Sequence, residues 1–205
     1  ICTGSDGGGS IRLPASYSGL FGFKTRFGRV GYAGHFDSAL TSVPGPMCRS
    51  VRDAARYIDA VAGPTNSDPM SLPKPVRSYE DAIVSGDAVA NLRGKRAAWS
   101  STLGFAVCDP EVEKLTYEAA LALCADAGIE LVDIDVQLPR PGGACGLISS
   151  LDTAANYLDA ARDHWDDVTP ISRAGLQAVD GINSEQLMRS LRRRFELLEA
   201  IGVVF

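Results

Sequence analysis

An α/β fold is predicted by three observations. A strand–helix–strand unit runs from Arg96 to Val136, and a second capped helix with one apolar face follows Ser50. The chain has 205 residues and 45% hydrophobic content, enough for one substantial core. The net charge of −5 gives no electrostatic reason to expect a nucleic acid or an anionic membrane as partner. No run approaches the roughly 20 apolar residues of a membrane span. The five cysteines, Cys2, Cys48, Cys108, Cys124 and Cys145, are odd in number and widely spaced, with no C-x-x-C pair. They read as reduced, mostly buried thiols of a cytoplasmic protein. With only His35 and His164 to assist, no zinc or other metal site is expected.

Taken in order, residues 1–34 are dense in glycine, which implies tight turns and close backbone approaches. Short strands are predicted near Phe21–Lys24, where Phe21 and Phe23 alternate with Gly22 and Lys24, and near Arg29–Tyr32. His35 lies in a loop. Ser50 is placed to cap a helix, with Asp53 in the first turn and Ala54, Tyr57, Ile58 and Val61 on one face. Gly63-Pro64 stops it, and Thr65–Tyr79, with Pro69, Pro73 and Pro75, reads as a crossing loop.

Arg96–Ser100 is a predicted strand after a turn at Asn91–Gly94. Asp109 caps the next helix with Pro110 in its first position, Val112, Leu115, Ala119, Ala122 and Leu123 form its face, and Gly128 closes it. Ile129–Val136 is the second strand, expected parallel to the first with a right-handed crossover. A helix from about Leu147 to His164 follows. Asn183 and Gln186 open a last helix carrying Leu187, Leu191, Phe195 and Leu198. Its Arg192-Arg193-Arg194 run reads as a solvated face. Ala200–Phe205 reads as a helix end running into a buried strand. No internal domain boundary is expected.

The chemistry points to Gly7-Gly8-Gly9-Ser10. A glycine-serine run is most often a flexible linker. Here bulky apolar residues follow at once, and Asp6 and Arg12 can pair across the turn. A Walker A phosphate loop needs Lys where Ser10 stands, and a G-x-G-x-x-G dinucleotide turn needs glycine where Arg12 stands. Successive residues without Cβ can turn their N–H groups into one concave site that stabilises negative charge. Ser10 then sets a nucleophilic hydroxyl beside that site.

Gly4-Ser5-Asp6-Gly7-Gly8-Gly9-Ser10-Ile11-Arg12-Leu13-Pro14-Ala15 resembles the end of the amidase signature, and Gly19-Leu20-Phe21-Gly22-Phe23-Lys24-Thr25 continues it in register. Gly45–Ala55, Ala98-Trp99-Ser100 and Asp109-Pro110-Glu111-Val112 are similar to later family segments. The resemblance covers most of residues 1–136. It implies the amidase signature fold, a mixed twisted β-sheet covered by helices on both faces, of which this chain holds only part. Residues 1–205 are then part of a single amidase domain, truncated at both ends.

The resemblance also implies a Ser–cisSer–Lys mechanism, with Ser10 as nucleophile and the N–H groups of Gly7, Gly8, Gly9 and Ser10 as oxyanion hole. It casts Ser5, Asp6 and Arg12 as loop supports. Ser5 stands where relatives often carry Thr, and Gly7 where many carry Thr or Ile. The family's lysine and cis-serine are expected N-terminal to Ile1, and Lys24, Lys74, Lys95 and Lys114 do not match the catalytic position. His35 could serve as a base, but the family uses lysine. The isolated chain is therefore expected to be inactive.

The expected reaction is hydrolysis of a carboxamide through an acyl-enzyme, without a cofactor. The expected partners are a small-molecule amide substrate and the missing parts of the same enzyme, or a homodimer. Two alternatives are an ammonia-releasing component of a glutamyl-tRNA amidotransferase and a non-catalytic binding module. Thr41-Ser42-Val43-Pro44 departs from the expected amidotransferase pattern and favours a stand-alone hydrolase. An acyl pocket is expected to draw on residues 143–180, with Tyr157, His164 and Trp165 as lining candidates.

Overall fold

Strand β1 (Cys2–Asp6) pairs antiparallel with β3 (Val43–Cys48), and β3 pairs antiparallel with β2 (Phe21–Gly22), in the order β1-β3-β2. The computed structural model describes residues 1–32 and 41–205. Pro44 and Pro46 sit in the central strand of this sheet, where proline is ordinarily excluded because it cannot donate to the ladder. The carbonyl directions explain the exception. Phe23 N donates to Pro46 O (3.1 Å) and Thr25 Oγ1 to Pro44 O (3.0 Å). In a strand, a residue's N–H and C=O point to the same side. Both missing donors therefore face β2 and the chain after it, and Val43, Gly45 and Met47 are left to pair with Asp6, Gly4 and Cys2.

One glycine from each strand, Gly4, Gly22 and Gly45, forms the seat of Ile11, which is fully buried. A Cβ on Gly4 would lie 3.3 Å from Ile11 Cγ1, and one on Gly22 would lie 2.6 Å from Ala15 Cβ and 3.0 Å from Ile11 O. At Gly45 it would collide with Phe23 O and come within 3.0 Å of Ile11 Cδ1. We predict that Gly45→Ala destabilises the protein by about 1–3 kcal/mol. Thermal denaturation checks this, and an unchanged midpoint would refute the seating of Ile11.

Helix α1 (Arg12–Tyr17) follows this seat, and helix α2 (Val51–Val61) follows β3. The predicted cap of α2 forms, with Ser50 Oγ accepting from Asp53 N (3.1 Å). Ala54, Ala55 and Ile58 are buried, and Tyr57 packs on Val30, Ile58 and Ala62, but Val61 is exposed. The strand expected at Arg29–Tyr32 is reduced to one bridge, Val30 to Ala62, after a left-handed turn at Gly28 (φ 77°). The crossing loop is pinned by buried Asp68, which accepts from Tyr32 N (3.1 Å) and Met70 N (2.8 Å). Helix α3 (Tyr79–Val84) has no counterpart among the elements expected from the sequence. Its entry is held from outside: Asp59 of α2 accepts from Ser78 Oγ and from the N–H groups of Tyr79 and Glu80. Arg56 and Arg52 grip Glu80 and hold its carboxyl down at about 2.

The described residues form two compact units, Ile1–Ser85 with Gly146–Asn183, and Gly86–Cys145 with Ser184–Phe205. Each is built from two chain segments, so no single linker marks the division. The first also contains most of helix α6 (Ala144–Asp163), a 3₁₀ turn at Trp165–Asp167 and helix α7 (Pro170–Gln177). There Ala154, Ala161 and Leu176 make a small core under Leu158 and Trp165.

The second unit holds helix α4 (Asp87–Ala90), strands β4 (Arg96–Ala98) and β5 (Glu130–Val132), and helices α5 (Pro110–Ala127) and α8 (Ser184–Val204). β4 and β5 pair in parallel, as expected. Asp109 caps α5 through Glu111 N (2.8 Å), and Gly128 ends it with φ 67°. The expected apolar face of α5 is not the buried one: Val112, Leu115 and Leu123 are exposed, and Cys124 and Ala127 are buried. The tight turn at Gly128 brings the last helical turn against β5, so burial concentrates there. Phe195 and Leu198 of α8 are likewise exposed, and the helix runs on to Val204, where a strand was expected.

Antiparallel and parallel pairing thus both occur, in two small sheets among the described residues. All five cysteines are free thiols. Cys48 and Cys124 are buried, but Cys2 and Cys145 are exposed, against the expectation of mostly buried thiols. No helix among the described residues is long and apolar enough to cross a membrane.

Candidate active site

The chain leaves β1 at Asp6, turns through Gly7-Gly8-Gly9-Ser10, and enters α1 at Arg12. Asp6 holds this turn together. Its carboxylate is fully buried, and among the described residues it bonds to Gly9 in the turn and to Ile11 and Arg12 just beyond it. Oδ1 accepts from Gly9 N (2.6 Å) and Arg12 Nη2 (3.0 Å). Oδ2 accepts from Arg12 Nε (2.9 Å), Ile11 N (3.3 Å) and Arg12 N (3.3 Å). The pair expected across the turn is therefore a two-pronged ion pair, with Arg12 half exposed and Asp6 dry. The Arg12 side chain, helped by the N–H groups of Gly9, Arg12 and Ile11, outweighs desolvation and holds the Asp6 carboxyl far below the usual carboxylate range. In return Asp6 raises the Arg12 guanidinium.

Gly9 is the residue that permits the turn. Its φ is +127°, and a Cβ there would lie 3.0 Å from Leu13 Cδ1. Gly8 has open space around it. Among the described residues, no acceptor takes the N–H of Gly7, Gly8 or Ser10. The N–H of Gly9 is committed to Asp6 at 2.6 Å. The Gly9 N–H expected in the oxyanion hole thus braces the turn in this structure, whereas those of Gly7, Gly8 and Ser10 are without an acceptor among the described residues.

Ser10 is exposed, and its Oγ has no hydrogen-bond partner among the described residues. Ile11, immediately after it, is clamped in its glycine seat. The hydroxyl thus stands on a rigid base with its own rotor open. Ser5 lies exposed in β1 opposite Pro44, with no side-chain partner among the described residues. His35 lies outside the described residues. Tyr157 and His164 line a groove between α6 and α7, whereas Trp165 packs against the core beneath it.

Lys24 matches no catalytic position by its place in the sequence, yet the structure sets it beside the turn. Its Nζ donates to Asp6 O (2.6 Å) and to Thr41 O (2.9 Å). Burial lowers its pKa, opposed by the Asp6 charge and assisted by that of Arg12. Its partners are 17 and 18 residues away, so no local signal could reveal them beyond the Phe-Lys-Thr alternation itself.

The Amidase family model matches residues 1–201. An acylamidase of Rhodococcus erythropolis is 36% identical over 141 residues, which is 67% of this chain and 26% of that protein. A glutamyl-tRNA(Gln) amidotransferase subunit from Roseobacter denitrificans is 35% identical over 186 residues, 88% of this chain and 34% of that protein. The solved structure of a bacterial aryl acylamidase of the amidase signature family superposes with a TM-score of 0.85 at 25% identity, covering 99% of this chain and 43% of that one. The chain thus spans between about a quarter and under half of these relatives, and it carries the glycine-serine turn on an amidase signature framework. It belongs to the amidase family.

Proposed function

We propose that this chain is the nucleophile-bearing part of an amidase that hydrolyses a carboxamide through an ester on Ser10. The observation that carries the reading is the turn itself: an unencumbered serine hydroxyl beside unoccupied N–H groups, on a base locked by Asp6, Arg12 and Ile11. Ser10 Oγ attacks the amide carbonyl carbon. Its proton passes to a serine–lysine pair expected in the part of the relatives that this chain does not span. The N–H groups of Gly7, Gly8 and Ser10 receive the developing oxyanion. The tetrahedral species collapses, the C–N bond breaks, and the nitrogen leaves as ammonia or amine with a proton returned from the pair. Water then attacks the ester, and the carboxylic acid is released with Ser10 restored.

A fluorophosphonate probe tests this on the full-length protein. Covalent labelling at Ser10, located by peptide mass, is the expected result. Absence of labelling in folded protein favours the binding-module alternative. The amidotransferase reading rests on the amidotransferase relatives. It requires ammonia release from glutamine that responds to glutamyl-tRNA, and hydrolysis of simple amides without tRNA decides for the stand-alone enzyme.

A further inference from the structure

Asp6 O and Gly7 N belong to one peptide unit. In a trans peptide the C=O and N–H point in opposite directions, so whatever grips Asp6 O aims Gly7 N–H. Lys24 grips it at 2.6 Å and anchors itself on Thr41 O at 2.9 Å. The lysine is itself held in place on both sides, because Phe23 N and Thr25 Oγ1 are bonded to Pro46 O and Pro44 O of β3.

We propose that Lys24 is a positioning residue for the oxyanion hole, acting through the Asp6–Gly7 peptide to aim and polarise the Gly7 N–H toward the substrate oxygen. The inference rests on the serine amidase reading above. A charged donor on a peptide oxygen draws electron density from the amide and strengthens its N–H as a donor. Lys24 and Arg12 also set two cations against the single Asp6 carboxylate, leaving positive potential beside a site where negative charge develops. Thr41 O is the fixed point of this arrangement, since it ties the ammonium to the chain entering β3.

The test is steady-state amide hydrolysis by full-length wild type, Lys24→Met and Lys24→Arg, with an alkylboronic acid as a tetrahedral probe that forms an adduct on Ser10. Lys24→Met is expected to lower kcat by about 10- to 100-fold, with KM changed less than about threefold. Affinity for the boronic acid should fall by a similar factor, and Lys24→Arg should recover part of both. A purely structural lysine would change KM and kcat together, without a selective loss of the tetrahedral adduct. A kcat for Lys24→Met within about threefold of wild type would overturn the assignment. Should Lys24→Met be insoluble, Lys24→Gln, which keeps a neutral donor, is measured in its place. Loss of soluble protein in both assigns Lys24 to folding and overturns the proposal. A wild type that neither hydrolyses amides nor labels at Ser10 overturns both this inference and the reading beneath it.

Discussion

Replacing Ser10 with alanine in the full-length protein is expected to reduce amide hydrolysis by about 10⁴-fold or more, the scale seen when a serine nucleophile is removed. The fold should not register the change. Ser10 is exposed, and its hydroxyl makes no bond to the described residues, so the stability change should stay within about 0.5 kcal/mol. Activity and thermal midpoint measured on one preparation separate the two effects. Residual turnover within tenfold of wild type would remove Ser10 from the mechanism, whatever the labelling result.

The second large effect is expected at Asp6, and it strikes stability and activity together. Asp6→Asn keeps the shape of the side chain but replaces an acceptor oxygen with a donor amide. In either orientation that amide faces hydrogens, because both carboxylate oxygens accept from an N–H of the backbone and from Arg12. The cost is about 3 kcal/mol, for unsatisfied buried donors and a broken ion pair. Gly9 would lose its anchor, and kcat should fall by about 100-fold as the donors beside Ser10 lose their alignment. Urea denaturation and turnover numbers check both parts, and an Asp6→Asn variant of wild-type stability would contradict the bonding described for the turn. The pH dependence has a definite sign. The folded-state pKa of Asp6 lies below its ordinary 3.8, so its contribution is complete above that value and is lost as pH falls below it. Titration between pH 5 and 8 should leave the turn intact.

What could be read from the sequence and what could not divide by range. Ser50 with Asp53, and Asp109 with Pro110 and Gly128, form as expected because a cap is decided within a few residues. The Asp6–Arg12 pair was visible for the same reason. Strand β3 was hidden because Val43-Pro44-Gly45-Pro46 has the composition of a turn. Only the placement of its partners shows that the prolines lose nothing by lacking donors. Lys24 was hidden by distance along the chain, and the commitment of Gly9 N–H by the geometry of one carboxylate. On α5 and α8 helical spacing identified the helices but not their buried sides. Those sides are chosen by tertiary neighbours such as β5.

The orientation of Pro44 and Pro46 also governs what the sheet can recruit. A strand side with free N–H and C=O groups is a template for pairing with another chain. On the β2 side of β3, Pro44 and Pro46 present no hydrogens, and their oxygens are occupied by Thr25 and Phe23. Beyond the two residues of β2, that flank offers an incoming strand nothing to bond. The prolines beside the nucleophile turn thus leave that flank of β3 without a free backbone donor at either position.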